Sequence, residues 1–402
     1  MIDMDNPHSS EIVDEIRREA GAIDWWAAGA AIASISAVGV ALGLGLPLLS
    51  VILEQRGVSP TMIGANTAVA GAASLLAAPL VTPIARRLGV RMTMAIAIVA
   101  ASVSALGFYF FVPFWTWFPL RLVFHFAITA LFILSEFWIN AAAPPGKRGF
   151  ILGIYATFLS LGFAFGPWLF SQIGSQGFLP FGIGAGVILA ALIPLILAWD
   201  RQPAVGAELR GGFWRYLTLV PTATAAVLIF GAVESGGFAL FPIYGQLVNF
   251  SEASAAQLLT AIGLGNVLLQ IPIGLYSDRV GDRRKLLLFF AAVGLVGSLC
   301  LPFLVENWWL MAATLFIWGG VVAGLYTVGL AHLGAKLETT ELASANAAFI
   351  FCYSAGMLIG PQTIGGALDL FGSDGFAWSL ALFFAAYLVL TLVRLSVNKH
   401  HA

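Results

Sequence analysis

Twelve long apolar runs govern what this chain can become. They fall near residues 26–53, 61–85, 92–112, 115–140, 149–173 and 178–199, then 217–248, 254–277, 286–304, 308–335, 341–368 and 376–395. About 20 apolar residues in helical form cross the ~30 Å hydrocarbon core of a bilayer. Inside lipid every backbone N–H and C=O must be satisfied within its own segment, which selects the helix. Composition agrees, with 60% hydrophobic and 10% charged residues against about 25% charged in soluble domains. A water-soluble fold of this kind would expose apolar patches that monomers avoid. The expected class is an all-α polytopic membrane protein with twelve transmembrane helices.

Charge placement orients the spans. With a cytosolic N-terminus, all but Arg56 and Arg121 of the 19 basic residues fall on the inner side or in inner loops, the positive-inside pattern. Both ends are then cytoplasmic and the protein is a multi-pass component of the cell (inner) membrane. Residues 1–25 form a cytosolic segment whose acids outnumber Arg17 and Arg18, unlike the basic start of a signal peptide. Residues 26–199 and 217–395 are the two sets of six spans, 200–216 a cytosolic linker and 396–402 a cytosolic tail. Trp25, Trp26, Trp115, Trp117, Trp308 and Trp309 sit at span ends, as an interfacial aromatic belt requires. Cys300 and Cys352 lie inside apolar runs and read as packing residues.

The halves repeat weakly. Leu46-Pro47 answers Phe241-Pro242, Arg87-Leu88-Gly89 answers Arg279-Val280-Gly281, and Gly162-x-x-x-Gly166-Pro167 answers Gly356-x-x-x-Gly360-Pro361. The offset stays near-constant across the three landmarks, so two pseudo-symmetric six-helix bundles are expected. Repeats of this kind place a substrate site near the midplane between the halves, reached by alternating rocking.

Ionisable groups inside apolar spans are costly and mark function by default. Glu234 lies midway along the seventh span, beside Gly236 and Gly237; a carboxyl there suits proton exchange or substrate binding. The fourth span carries Arg121, His125 and Glu136. His125 and Glu136 share a face, about 16 Å apart along the axis, which separates their roles. Arg121 and His125 are candidates for proton coupling or substrate binding. Asn66, Asn266, Gln270, Tyr326, Asn346 and Tyr353 are candidate cavity-lining polar residues, although amides also serve as glue between helices.

The segment Gly274-Leu275-Tyr276-Ser277-Asp278-Arg279-Val280-Gly281-Asp282-Arg283-Arg284 resembles the loop signature of the major facilitator superfamily. The likeness spans essentially all of residues 26–395. Arg121 resembles that family's buried arginine, with His125 where glycine is usual. The Gly-Pro turns match its antiporter signature only in part, since Trp168 to Ser171 stand where a glycine pair belongs.

The resemblance implies a cytosolic gate. Asp278 would face the N-terminus of the fifth helix, where helix polarity favours an acid, with Arg279 and Arg283 bridging to neighbours. Glu136 would join Arg87, Arg91 and Arg148. In the first half Arg86 stands where the acid belongs, so a rewired latch from Arg86 to Glu338 or Glu341 is expected.

The sequence holds no phosphate loop, metal-ligand spacing or catalytic triad, so no enzyme, cofactor or metal is expected, and no basic stripe suggests nucleic acid. The leading reading is a monomeric, proton-coupled secondary transporter of a small organic solute. The resemblance favours export. Alternatives are an uptake permease or facilitator for a sugar-like or organic-anion solute, and a non-transporting membrane sensor.

Overall fold

The computed structural model describes residues 23–142, 144, 147–201, 219–335 and 342–399. Among them every regular element is helical. The spans are α1 (Trp25–Gln55), α2 (Pro60–Leu88), α3 (Val90–Phe110), α4 (Trp117–Ala142), α5 (Arg148–Ile173) and α6 (Leu179–Leu197). The second six are α7 (Pro221–Leu247), α8 (Glu252–Arg279), α9 (Arg283–Cys300), α10 (Trp308–Gly334), α11 (Leu342–Phe371) and α12 (Ser373–Lys399). All twelve are long and apolar enough to cross a membrane.

Local chemistry sets the helix ends. Ser59 and Ser251 accept hydrogen bonds from Met62 N–H and Ser254 N–H, capping α2 and α8. Gly89, at φ 87°, makes a one-residue turn between α2 and α3 that a side chain would strain. Pro194 removes the hydrogen bond that would carry α6 smoothly past Ala191.

Small residues set the packing. The Cβ that Gly162 lacks would lie 2.8 Å from Ser36 O and 2.9 Å from Val40 N, and Gly166 rests against Gly43 and Leu44. In the second half Gly356 rests against Leu228 and Ala232, and Gly360 against Ala232. The repeated Gly-x-x-x-Gly-Pro therefore makes the same seam twice, α1 on α5 and α7 on α11. Such close approach is how helices associate in lipid, where the hydrophobic drive between them is absent.

The two bundles meet along equivalent seams as well. Gly64, Gly71 and Gly365 bring α2 onto α11, and Gly263 brings α8 onto Ala164 of α5. Exposed apolar side chains such as Ile96, Val103, Ile193, Phe289, Val296 and Val389 line the lipid-facing helices α3, α6, α9 and α12.

Trp117 departs from the expected aromatic belt. It is fully buried, donating its indole N–H to Phe111 O at 2.8 Å beneath the Arg56 guanidinium. Trp25, Trp26, Trp115 and Trp309 are exposed at span ends.

Candidate functional site

Glu234 stands at the middle of α7, 13 residues from either end. The glycine seam puts α11 against it. A Cβ on Gly231 would lie 3.0 Å from the Tyr353 ring, so the bare backbone leaves that ring its space. Tyr353 then donates its hydroxyl to Glu234 Oε2 at 2.5 Å. Phe230, Tyr326 and Phe349 pack around it, with Tyr326 centred 6.0 Å from Tyr353 and 5.3 Å from Phe349.

On its other side Glu234 borders a cavity of about 630 Å³, mouth included, between α7, α8, α10 and α12 with Phe163 of α5. Asn266 lines it beside a wall of Phe230, Phe238, Phe241, Trp318 and Phe376. Among the described residues Glu234 is the only ionisable one lining it.

The other expected cavity residues are placed differently. Gln270 is engaged with α10, donating to Gly320 O at 3.1 Å and accepting from Thr327, so it acts as glue. Tyr326 and Tyr353 stand behind Glu234. Asn346 is half-buried and away from this cavity.

In the first bundle, Arg121 is completely buried, and none of its guanidinium nitrogens has a hydrogen-bond partner. His125 lies beneath it, its Nδ1 3.1 Å from Arg121 O and its Nε2 without a partner. Neither borders the Glu234 cavity. A hydrogen bond of 2.9 Å between Ser74 and Thr129 fixes the register of α2 on α4. Asn66 and Arg121 are each eight residues back along these parallel helices, about 12 Å. They therefore share a depth. Both amide atoms of Asn66 and the hydroxyl of Thr67 are also buried without partners.

Glu136 differs from the expected gate. Among the described residues its carboxylate forms no ion pair with Arg87 or Arg91. Its electrostatic neighbours are the phenols of Tyr155 and Tyr326, and Tyr326 also senses Glu234. Tyr155, in turn, pairs with Ser135 at 2.9 Å. A tyrosine inside an apolar span was the signal that could have singled out Tyr155.

The loop motif is also rearranged. Asp278 is exposed and pairs with Arg283 at 3.1 Å inside its own turn, while Arg279 is exposed. Arg284 grips Asp282 through two hydrogen bonds of 2.9 and 3.0 Å, holding that carboxyl below the ordinary aspartate range. Arg91 bonds Trp199 O at 2.7 Å and covers its ring, within the first bundle. Arg86 and Arg87 are exposed. Glu338 and Glu341 lie outside the described residues, as does the side chain of Arg148.

Polar ties between the bundles occur at the end away from the chain termini. Gln55 of α1 donates to Glu252 of α8 at 2.5 Å, and Ser175 donates to the same oxygen at 3.1 Å. Asp369 of α11 accepts from Thr61 N–H at 2.8 Å, at the start of α2, where unpaired amides favour an anion. Gln246 of α7 bonds Glu54 of α1.

A fold of twelve spans in two equivalent sets, closing on a carboxylate in a greasy cavity, describes a carrier. The profile of the Major Facilitator Superfamily matches residues 30–264 and 224–402. The chain belongs to this superfamily. An "Uncharacterized MFS-type transporter YfkF" of Bacillus subtilis (strain 168) is 25% identical over 356 residues, 87% of this chain and 90% of that protein.

Among solved structures, a nucleoside transporter NupG (D323A mutant) superposes with a TM-score of 0.75 at 14% identity, covering 91% of this chain and 98% of that one. A bacterial homologue of the human lysosomal transporter Spinster, in an inward-facing and occupied conformation, gives 0.70 at 14% identity, covering 92% and 96%. These likenesses establish the fold. The protein is a multi-pass transporter of the superfamily.

Proposed function

We propose that this chain is a proton-coupled exporter of a small organic solute, working by rocking of its two bundles. One observation carries the reading: among the described residues the sole ionisable group on the cavity wall is Glu234, held by Tyr353 at the middle of a central helix. A carboxyl in that position exists in two states, and which one solute and proton each prefer links their movements. The Tyr353 hydroxyl supports the charged state as donor and, by rotating, offers an acceptor to the neutral one.

With both termini cytosolic, the ties through Glu252, Asp369 and Glu54 close the outer end. This is the state in which a carrier loads from inside. Export suits the greasy wall on physical grounds. An apolar solute enters a cell through lipid unaided and needs a driven carrier only to leave.

A second reading, an organic-anion permease, draws on Arg121. A buried guanidinium with no partner is costly, and an arriving carboxylate or phosphate would compensate it. Flux into and out of proteoliposomes under an imposed pH gradient tests the pair. The first reading requires gradient-driven flux that Glu234→Gln removes. Flux indifferent to the gradient and to that substitution, but lost in Arg121→Gln, would transfer the case to the second.

A further inference from the structure

We propose that the solute is an organic cation with a bulky apolar body, bound in the Glu234 cavity with its charge against the carboxylate. The inference rests on the carrier reading above and adds the chemical class. Three observations lead to it.

The first is the sign of the wall. Among the described residues Glu234 is the only titratable one bordering the cavity, and no Lys, Arg or His of them lines it. Arg121 is fully buried in the other bundle and contributes nothing to this wall. An anion entering here would meet a like charge in a medium that screens poorly. A carboxylate of the first bundle, Glu136, acts on the same Tyr326 that senses Glu234.

The second is the scarcity of polar partners. Among the described residues Glu234 and Asn266 are the only lining ones with strong side-chain hydrogen-bonding groups apart from the Trp318 N–H, which donates to Gly294 O at 3.1 Å. A sugar or nucleoside carries several hydroxyls, and each one buried without a partner is penalised. This wall leaves most of them unmet.

The third is the aromatic lining. Phe163, Phe230, Phe238, Phe241, Trp318 and Phe376 border the space. Ring faces attract cations through their quadrupole, and the attraction grows when water is excluded. Rings also bury a large apolar body well. A carboxylate among rings recognises a lipophilic ammonium or phosphonium, and a proton competes for the same oxygen.

The groups able to influence that competition are few. Tyr353 of α11 and Tyr326 of α10 face Glu234, and Glu136 of α4 acts through Tyr326. Among the described residues, α1, α2, α8 and α12 set no charged side chain within electrostatic reach of it.

Equilibrium binding of radiolabelled tetraphenylphosphonium to the purified full-length protein tests the class. Tetraphenylborate, nearly the same shape with the opposite charge, serves as competitor. The expected result is saturable binding that excess unlabelled tetraphenylphosphonium displaces and tetraphenylborate does not. Lowering the pH should weaken it by up to about tenfold per unit, the limit for one proton exchanged for one cation. Glu234→Gln should weaken it about tenfold or more, while Glu234→Asp retains most of it.

Displacement by tetraphenylborate at equal potency would overturn the proposal on the native protein alone, whether or not a variant folds. Undiminished binding to a well-folded Glu234→Gln protein would overturn it too. Glu234-dependent, gradient-driven flux of a neutral or anionic solute, with no phosphonium binding, would sink the cation class and leave the carrier reading standing. Phosphonium binding that needs Glu234 but ignores pH would uphold the cation class and sink proton coupling.

Discussion

The two bundles are built alike and charged oppositely. In both, a Gly-x-x-x-Gly-Pro seam presses one helix onto another, α1 on α5 and α7 on α11. The second bundle uses its seam to deliver Tyr353 to Glu234, at the edge of a cavity. The first bundle buries Arg121 and His125 away from the Glu234 cavity. Its own pocket, lined by residues such as Leu44, Phe108, Phe124 and Ile188, carries no charged group. Duplication therefore supplied the frame, and point differences on the central helices gave the halves different chemistry. One half holds a charge that is served, the other a charge that is stranded.

That contrast breaks most readily at the seams. Gly360→Leu would drive a side chain into the backbone of Ala232, and Gly166→Leu one into Leu44. Neither variant should yield monodisperse folded protein by size-exclusion chromatography. If one half tolerated leucine, the seams would not be equivalent.

Transport should be next in size. Glu234→Gln is expected to cut gradient-driven flux about tenfold or more, the equivalent of about 1.4 kcal/mol in coupling, while counterflow without a gradient persists once the solute concentration is raised to offset the weaker binding. Loss of both, in a folded protein, would place Glu234 in binding without coupling.

Arg121→Met probes the stranded charge. Removing an uncompensated buried guanidinium while keeping its volume should stabilise the ligand-free protein by about 1–3 kcal/mol, read as a higher Tm. A lower Tm would mean that the guanidinium is already compensated, and the asymmetry between the bundles would disappear.

The smallest effect concerns Asp282 and Arg284 at the α8–α9 turn. The pair lies near the surface, so Asp282→Asn should cost below about 1 kcal/mol. The Asp282 carboxyl is held below its ordinary value by Arg284. Its contribution is present at neutral pH and disappears as the pH falls through that lowered value. The Tm difference between native and Asn proteins should accordingly close in acid. A gap unchanged by pH would assign the effect to capping of α9 through Arg284 N–H.

Reading of the sequence reached some of the site and missed the rest for identifiable reasons. Glu234 was visible because a lone acid in an apolar span stands out from its neighbours. Its pairing was not, since Tyr353, itself a candidate lining residue, lies 119 residues away and is one of several tyrosines in spans. Glu136 was expected beside Arg87 and Arg91 because depth along α4 suggested it. Its electrostatic neighbours in the fold are instead the phenols of Tyr155 and Tyr326. The expected latch at Asp278 stayed within its own turn, and the ties through Gln55, Ser175 and Glu252 fell on polar residues at span ends that carry no motif.

What the residues alone determined is the membrane, the helix, the count of twelve and the duplication. Each follows from a local rule: apolar length against bilayer thickness, backbone satisfaction, and glycine where helices must touch. Tertiary structure decided which polar groups meet. A hydrogen bond across helices depends on rotation and depth at once, and an error of one residue turns a side chain by about 100°. The bundle had to assemble before Glu234 acquired its tyrosine, its cavity and its ring of phenylalanines, and before Arg121 was left with none.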